Sequence, residues 1–214
     1  MKILLLDVEG VLATLAIGIA VILLSGARAF PYLLLLLAFL FLGVLVTKYQ
    51  KQRKTELGVY EHERSWQNVI ANGIVPVLCI ALIPFIPNAH GAYIGAVAAA
   101  ASDKFASEIG TLGGKPTSLI SFKKVAPGTS GAISFLGSLM AFNGAALIGI
   151  AAMILYPNYT FPEVLIIALV GFAGNFADSI VGILEARGIG NKSTTNIICA
   201  LVGALLGHFL ISGI

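Results

Sequence analysis

Asp103, Glu108 and Asp178 are carboxylates set inside or at the ends of long apolar runs. Charge is costly in such surroundings, so each needs a partner or a task. The richest block is Ala101-Ser102-Asp103-Lys104-Phe105-Ala106-Ser107-Glu108-Ile109-Gly110. Asp103 and Glu108 are candidate ligands for Mg²⁺, which favours one or two carboxylates plus substrate phosphates. A second reading stays open: Lys104 and Glu108 stand at i,i+4 and can pair with each other, leaving Asp103 to mark a wet helix end. Their spacing puts Asp103 and Glu108 ~140° apart around a helix axis, so they share one site only if the helix ends or unwinds between them. Further on, Asn175, Asp178 and Ser179 share one helix face, either as a functional group or as hydrogen-bonded glue between helices.

Between these acidic blocks lie Gly113-Gly114-Lys115-Pro116, Ser121-Phe122-Lys123-Lys124 and Pro127-Gly128-Thr129-Ser130-Gly131. Thr129 or Ser130 is expected to cap the apolar helix that follows. Glycine-flanked amides at a helix start suit phosphate, and Lys115, Lys123 and Lys124 add point charges. The pattern is not a Walker A loop, because Pro116 follows Lys115 and Ile109 stands where the first glycine belongs. The alternative is a basic loop facing anionic lipid. Asn68 and Asn72 form a polar stripe at i,i+4, and Asn191 and Asn196 flank the start of the last apolar run; each is a cap, a glue residue or a ligand. His62, His90 and His208 lack metal-ligand spacing. Cys79 and Cys199 lie in apolar runs and read as neutral thiols.

The elements that position these residues follow from composition. The 214 residues are 58% apolar and 11% charged, with a net charge of +3. That is about half the charge a soluble domain needs, and disorder, collagen, coiled coil and disulfide scaffold are excluded as well. An all-α, polytopic transmembrane bundle remains, as a single domain over 1–214. A ~30 Å hydrocarbon layer takes about 20 residues of helix, and seven runs approach that length: 8–24, 32–47, 69–86, 92–109, 132–156, 162–184 and 195–211. Seven alternating spans put Lys2 and the loops at about 48–67, 110–131 and 185–195 on one side. With Lys104 at the end of the fourth run, that side holds twelve of the thirteen Lys and Arg residues, with Arg28 opposite. The positive-inside rule makes it cytoplasmic, with the N-terminus in and the C-terminus out. The first run lacks the basic start of a cleaved signal peptide and is expected to be retained. The opposite loops are short. Thr160 and Glu163 fit a capping box around Pro162. Tyr49, Tyr60 and Trp66 read as interfacial anchors, and Gly203 and Gly207 as a close-packing pair.

The block 101–110 resembles the Asp-Thr-x-Ala-Ser-Glu-Ile-Gly signature of an integral membrane family that includes the phytyl-phosphate kinase of plant tocopherol synthesis. Leu119 to Ser134, Asn72-Gly73 and Asp178-Ser179-Ile180-Val181-Gly182 match it too, in the right order, so the resemblance covers roughly Arg64 to Gly207. Lys104 stands where that family usually has Thr. The resemblance implies CTP-dependent phosphorylation of an isoprenyl monophosphate to the diphosphate, releasing CDP, at the cytoplasmic face of the cell membrane. A more distant similarity to dolichol kinases and phosphatidate cytidylyltransferases also implies CTP. On this reading Asp103, Glu108 and Asp178 hold Mg²⁺. Lys104, Lys115, Lys123, Lys124, Gly128, Thr129, Ser130, Gly131 and Ser134 face phosphate or nucleotide, with Asn72, Asn175, Ser179, Asn191 and Asn196 supporting them. CTP, a prenyl monophosphate and the bilayer are the expected partners, with no nucleic acid. The rival readings are a transporter or lipid carrier for an anionic substrate, and a CTP-dependent cytidylyltransferase.

Overall fold

The computed structural model describes residues 5–60 and 65–211; Lys2, His62 and Arg64 lie outside them. Among the described residues the regular structure is helical apart from two short strands. Its elements are α1 (Val8–Ser25), α2 (Ala29–Lys48), α3 (Lys51–Glu56), α4 (Trp66–Leu82), α5 (Ala89–Gly110), β1 (Thr117–Ser118), β2 (Ala132–Ile133), α6 (Phe135–Leu155), α7 (Phe161–Glu185) and α8 (Lys192–Leu210). Local chemistry sets the ends. Asp7 caps α1 by accepting from Gly10 N at 2.6 Å, and Gly26, at φ +54°, ends it. The capping box forms at α7, where Thr160 N donates to Glu163 Oε2 at 2.9 Å.

Among the described residues, four stretches are long and apolar enough to cross a membrane: Val8–Lys48, which joins α1 and α2, and then α6, α7 and α8. These helices turn large apolar side chains outward, such as Leu15 and Ile19 of α1, Phe41 of α2, Ile154 of α6, Leu169 of α7 and Leu205 of α8. A helix apolar on its outer face as well as its inner one has lipid as its surroundings.

α5 is different. It packs against α2, α4, α6, α7 and α8, and eighteen of its 22 residues are buried. A helix sheathed by protein needs small residues rather than greasy ones, and Ala96 to Ala101 supply them. Against α8 the approach is close enough to exclude any side chain: a Cβ at Gly95 would overlap the carbonyl oxygen of Gly203, and one at Gly207 would overlap that of Gly91. Gly203 and Gly207 therefore do form a packing pair, and their counterpart is Gly91 and Gly95.

The bundle has two unlike ends. At one, Tyr32, His90, Tyr93, Tyr156 and Tyr159 cluster, with Tyr32 and Tyr93 ring centroids 5.0 Å apart, edge to face. At the other, the C-terminal turns of α5 and α7 meet the N-termini of α6 and α8.

One expectation about that polar end is corrected. The cap of α6 is Ser134, whose Oγ accepts from Gly137 N at 3.0 Å, and not Thr129 or Ser130. Ala132–Ile133 pairs antiparallel with Thr117–Ser118, which holds the backbone extended until Ser134.

Candidate functional site

Asp103 on α5 and Asp178 on α7 come together across the polar end, and Lys192 joins them. From the first turn of α8 its Nζ reaches Asp103 Oδ1 at 3.2 Å and Asp178 Oδ1 and Oδ2 at 3.3 and 3.2 Å. Both carboxylates are largely buried, while the lysine side chain is 45% exposed and opens the group to water. Lys192 follows the cap residue Asn191, whose side chain accepts from Thr194 N. A cation at a helix N-terminus opposes the helix dipole, so its two carboxylate partners hold it there.

Glu108 does not join them. It faces another direction on α5, as the ~140° separation requires. There Thr47 Oγ1 donates to it at 2.6 Å, Lys54 Nζ at 2.7 Å, and Lys104 Nζ lies 2.7 Å away. Lys54 is wholly buried and also donates to the carbonyls of Val46 and Thr47 at the end of α2. Gln50, at φ +47°, turns the chain so that α3 can place it there. Of the two readings of Lys104 and Glu108, the ion pair is the one realised. The set of three carboxylates is thus divided, and among the described residues no three His, Cys, Asp or Glu side chains form a metal-sized cluster.

Two clefts meet at the Asp103–Lys192 pair. The first, of about 190 Å³, lies between the ends of α5 and α7 and the backbone of Gly128 to Ser134. Asn175, Ser179, Ser107 and Glu185 complete it. Gly131 (φ +71°) lets that backbone lie on α7: a Cβ there would sit 2.9 Å from Ile183 N, and one at Gly182 would sit 2.7 Å from Gly131 N. The glycine of Asp178-Ser179-Ile180-Val181-Gly182 is explained by this contact. The second cleft, of about 530 Å³, lies toward α3 and α4 and is lined by Lys104, Glu108, Asn68, Asn72, Asn196 and Tyr60. Asn196 is buried, and its Oδ1 has no hydrogen-bond partner in the structure. Asp103, Ser107, Gly128, Ser130, Glu185 and Lys192 line both clefts.

The lysines of the glycine-rich segment fall elsewhere. Lys115, Lys123 and Lys124 are exposed and line neither cleft. They flank a small hairpin in which Val125 N donates to Pro116 O and Ser118 N to Lys123 O. The backbone of 128–134 reaches the site and these ammonium groups do not. Asn191 likewise acts as a helix cap, whereas Asn72, Asn175, Ser179 and Asn196 line a cleft. The sequence reading missed Lys192 and Lys54 as site or scaffold residues and treated both as topological charges. For Lys192 a signal was present in its place at a helix N-terminus.

The family Integral membrane protein DUF92 matches residues 1–207. The chain belongs to this integral membrane family. It is 41% identical over 205 residues to an uncharacterized membrane protein of Methanocaldococcus jannaschii, covering 94% of this chain and 84% of that one. A membrane protein of Synechocystis is 30% identical over 162 residues, covering 70% of this chain and 61% of its own. Protein PGR of Arabidopsis thaliana is 27% identical over 207 residues, covering 83% and 70%. No solved structure matches the chain significantly. Family membership and the apolar helices make this a membrane-embedded protein.

Proposed function

We propose that the chain is a CTP-dependent kinase of a prenyl monophosphate, working at the cytoplasmic face of a seven-span bundle with its N-terminus inside and its C-terminus outside. The single observation that carries this reading is the meeting of two polar clefts at Asp103 and Lys192. A transfer enzyme needs a donor site and an acceptor site that share the reacting centre, and a lone binding pocket would not need both. The motif resemblance to the phytyl-phosphate kinase family supplies the nucleotide and the lipid class. The span count rests on the seven long helices, with α4 and α5 shielded by their neighbours, and on the clustering of positive charge.

The residues fit Mg²⁺. Asp103 and Asp178 converge on the Lys192 ammonium, and two carboxylates plus phosphate oxygens suit Mg²⁺. Asp103 and Asp178 would hold the ion, which when bound neutralises phosphate oxygens. The protein's own part is positioning and charge. The cleft backbone of Gly128 to Ser134 and the N-termini of α6 and α8 face the triphosphate with their positive dipole ends. Lys192 is placed to hold the phosphates of donor and acceptor together. A non-bridging oxygen of the acceptor phosphate forms the new bond to the γ-phosphorus. The bond from that phosphorus to the β–γ bridging oxygen breaks, and its electron pair leaves with CDP. The acceptor is already ionised, so no strong base is required, and rate comes from in-line placement.

The test is turnover of γ-labelled CTP by the protein in nanodiscs with geranylgeranyl monophosphate. Labelled diphosphate lipid with CDP supports the proposal. Pyrophosphate release identifies a cytidylyltransferase, and absence of either product with saturable lipid-phosphate uptake identifies a carrier.

A further inference from the structure

α6 packs against α2, α5 and α7 and turns its remaining face away from the bundle. That outward face carries Leu139, Asn143, Leu147, Ile150 and Ile154. Among the described residues, the outward positions in the middle turns of α1, α2, α6, α7 and α8 are apolar except for Asn143. At 1.5 Å per residue, Asn143 lies ~12 Å from the start of α6 and ~18 Å from its end, near the middle of a ~30 Å hydrocarbon layer. So short a side chain reaches neither headgroups nor water from there. One amide N–H is satisfied within the helix, where Asn143 Nδ2 donates to the Leu139 carbonyl at 2.7 Å. Among the described residues nothing bonds its Oδ1 or its second N–H. Lipid chains offer neither a donor nor an acceptor to complete them.

We infer that this face of α6 pairs with the same face of a second copy of the chain, the two Asn143 amides bonding each other across a two-fold axis along the membrane normal. Three relationships select a second copy. The charge complementarity is reciprocal: the amide carries a partly positive N–H and a partly negative oxygen, so each copy supplies what the other lacks. The depth also matches, because two copies inserted alike bring Asn143 to the same level of the bilayer. Another protein would need a polar group of its own at that level, and a lipid has none. Finally, positions 143, 147, 150 and 154 step by four, three and four, the spacing at which two parallel helices interlock their side chains. A single Asn in such a seam fixes its register and the number of chains that join it. Both copies then open their polar clefts on the same side of the membrane. The seam uses no residue of the Asp103–Lys192 centre, so the pairing is independent of the kinase reading.

The test is oxidative crosslinking of the full chain in liposomes of phosphatidylcholine and phosphatidylglycerol, with the buried Cys79 and Cys199 replaced by Ala. Leu147→Cys places one thiol on the seam, and Leu201→Cys places one on the outer face of α8 as the control. Leu147→Cys is expected to give about five times the disulfide-linked dimer that Leu201→Cys gives, and to keep that ratio when the lipid is increased about tenfold. Adding Asn143→Leu should lower the Leu147→Cys dimer about fivefold, whereas Asn143→Gln, which keeps an amide, should retain most of it. Asn143→Leu is expected to leave the helical content unchanged, since the side chain faces away from the bundle. If that variant does lose helical content, the two thiol yields and the lipid dilution decide by themselves. Equal yields at the two thiols, a dimer that extra lipid disperses, or a folded Asn143→Leu protein that dimerises normally overturns the inference and leaves Asn143 facing lipid. The same crosslinking is run in the membranes of cells that express the chain. An adduct of Leu147→Cys with a different protein in place of the dimer also overturns the inference.

Discussion

Lys54 and Glu108 are 54 residues apart in the chain and 2.7 Å apart in space, and the side chain of the lysine is wholly inaccessible. This pair fastens the turn after α2 to the central helix. It also gives Glu108 a place in the scaffold, through Thr47, Lys54 and Lys104.

Removing one partner of a buried pair strands the other charge, at a cost of about 3–5 kcal/mol. Glu108→Gln is therefore expected to lower the unfolding midpoint in detergent in the absence of any ligand. The double variant Lys54→Met with Glu108→Gln should recover part of that loss. A Glu108→Gln protein that melts normally and yet loses turnover would return Glu108 to the reaction.

Lys192 is expected to matter for turnover far more than the other lysines near the site. Lys192→Gln should reduce CTP turnover at least about a hundredfold, since it removes the ammonium that bridges the two carboxylates. The triple variant Lys115→Gln, Lys123→Gln and Lys124→Gln should change CTP affinity less than about threefold, because these exposed charges act through water and salt. Affinity measured at 50 and 300 mM salt separates the two cases. A larger loss in the triple variant than in Lys192→Gln would reverse the assignment.

Gly182→Ala puts a methyl group 2.7 Å from Gly131 N. The 128–134 backbone would then have to lift from α7, and CTP binding should fall with the helical content unchanged by circular dichroism. Normal CTP affinity in Gly182→Ala would remove this backbone from the nucleotide site.

Topology is checked by labelling single cysteines at exposed positions in a background where buried Cys79 and Cys199 are replaced by Ala. Thr55→Cys, Lys123→Cys and Arg187→Cys should react from the inside, and Pro87→Cys and Asn158→Cys from the outside. Opposite labelling of Thr55→Cys and Lys123→Cys would refute seven spans.

The helices were legible in the sequence because each apolar run ends in glycine, proline or charge, and the observed ends fall within a few residues of the expected ones. The convergence of Asp103 and Asp178 was partly legible, since both are carboxylates that lipid would not tolerate alone. Their shared partner was not, because Lys192 lies 89 residues from Asp103 and nothing local links them. Lys54 was read as one more charge in a basic loop, for burial of a lysine depends on carbonyls and a carboxylate supplied by other elements. The cap of α6 was misplaced because Ser134 competes with Thr129 and Ser130 in local chemistry, and a two-residue strand pairing decides between them.

α5 carries Asp103, Lys104 and Glu108, and it is not among the stretches apolar enough to cross a membrane unaided. On the seven-span reading this sets the order of biogenesis. α5 emerges from the ribosome before α6, α7 and α8, yet the glycine seam that seats it and the lysine that neutralises Asp103 are on α8, which is made later. A translocon that judges each segment on its own hydropathy would hold α5 back until those later helices arrive. Chains cut short before α8 should leave α5 poorly inserted and open to quality-control proteases, so completion of α8 acts as the checkpoint for the central helix.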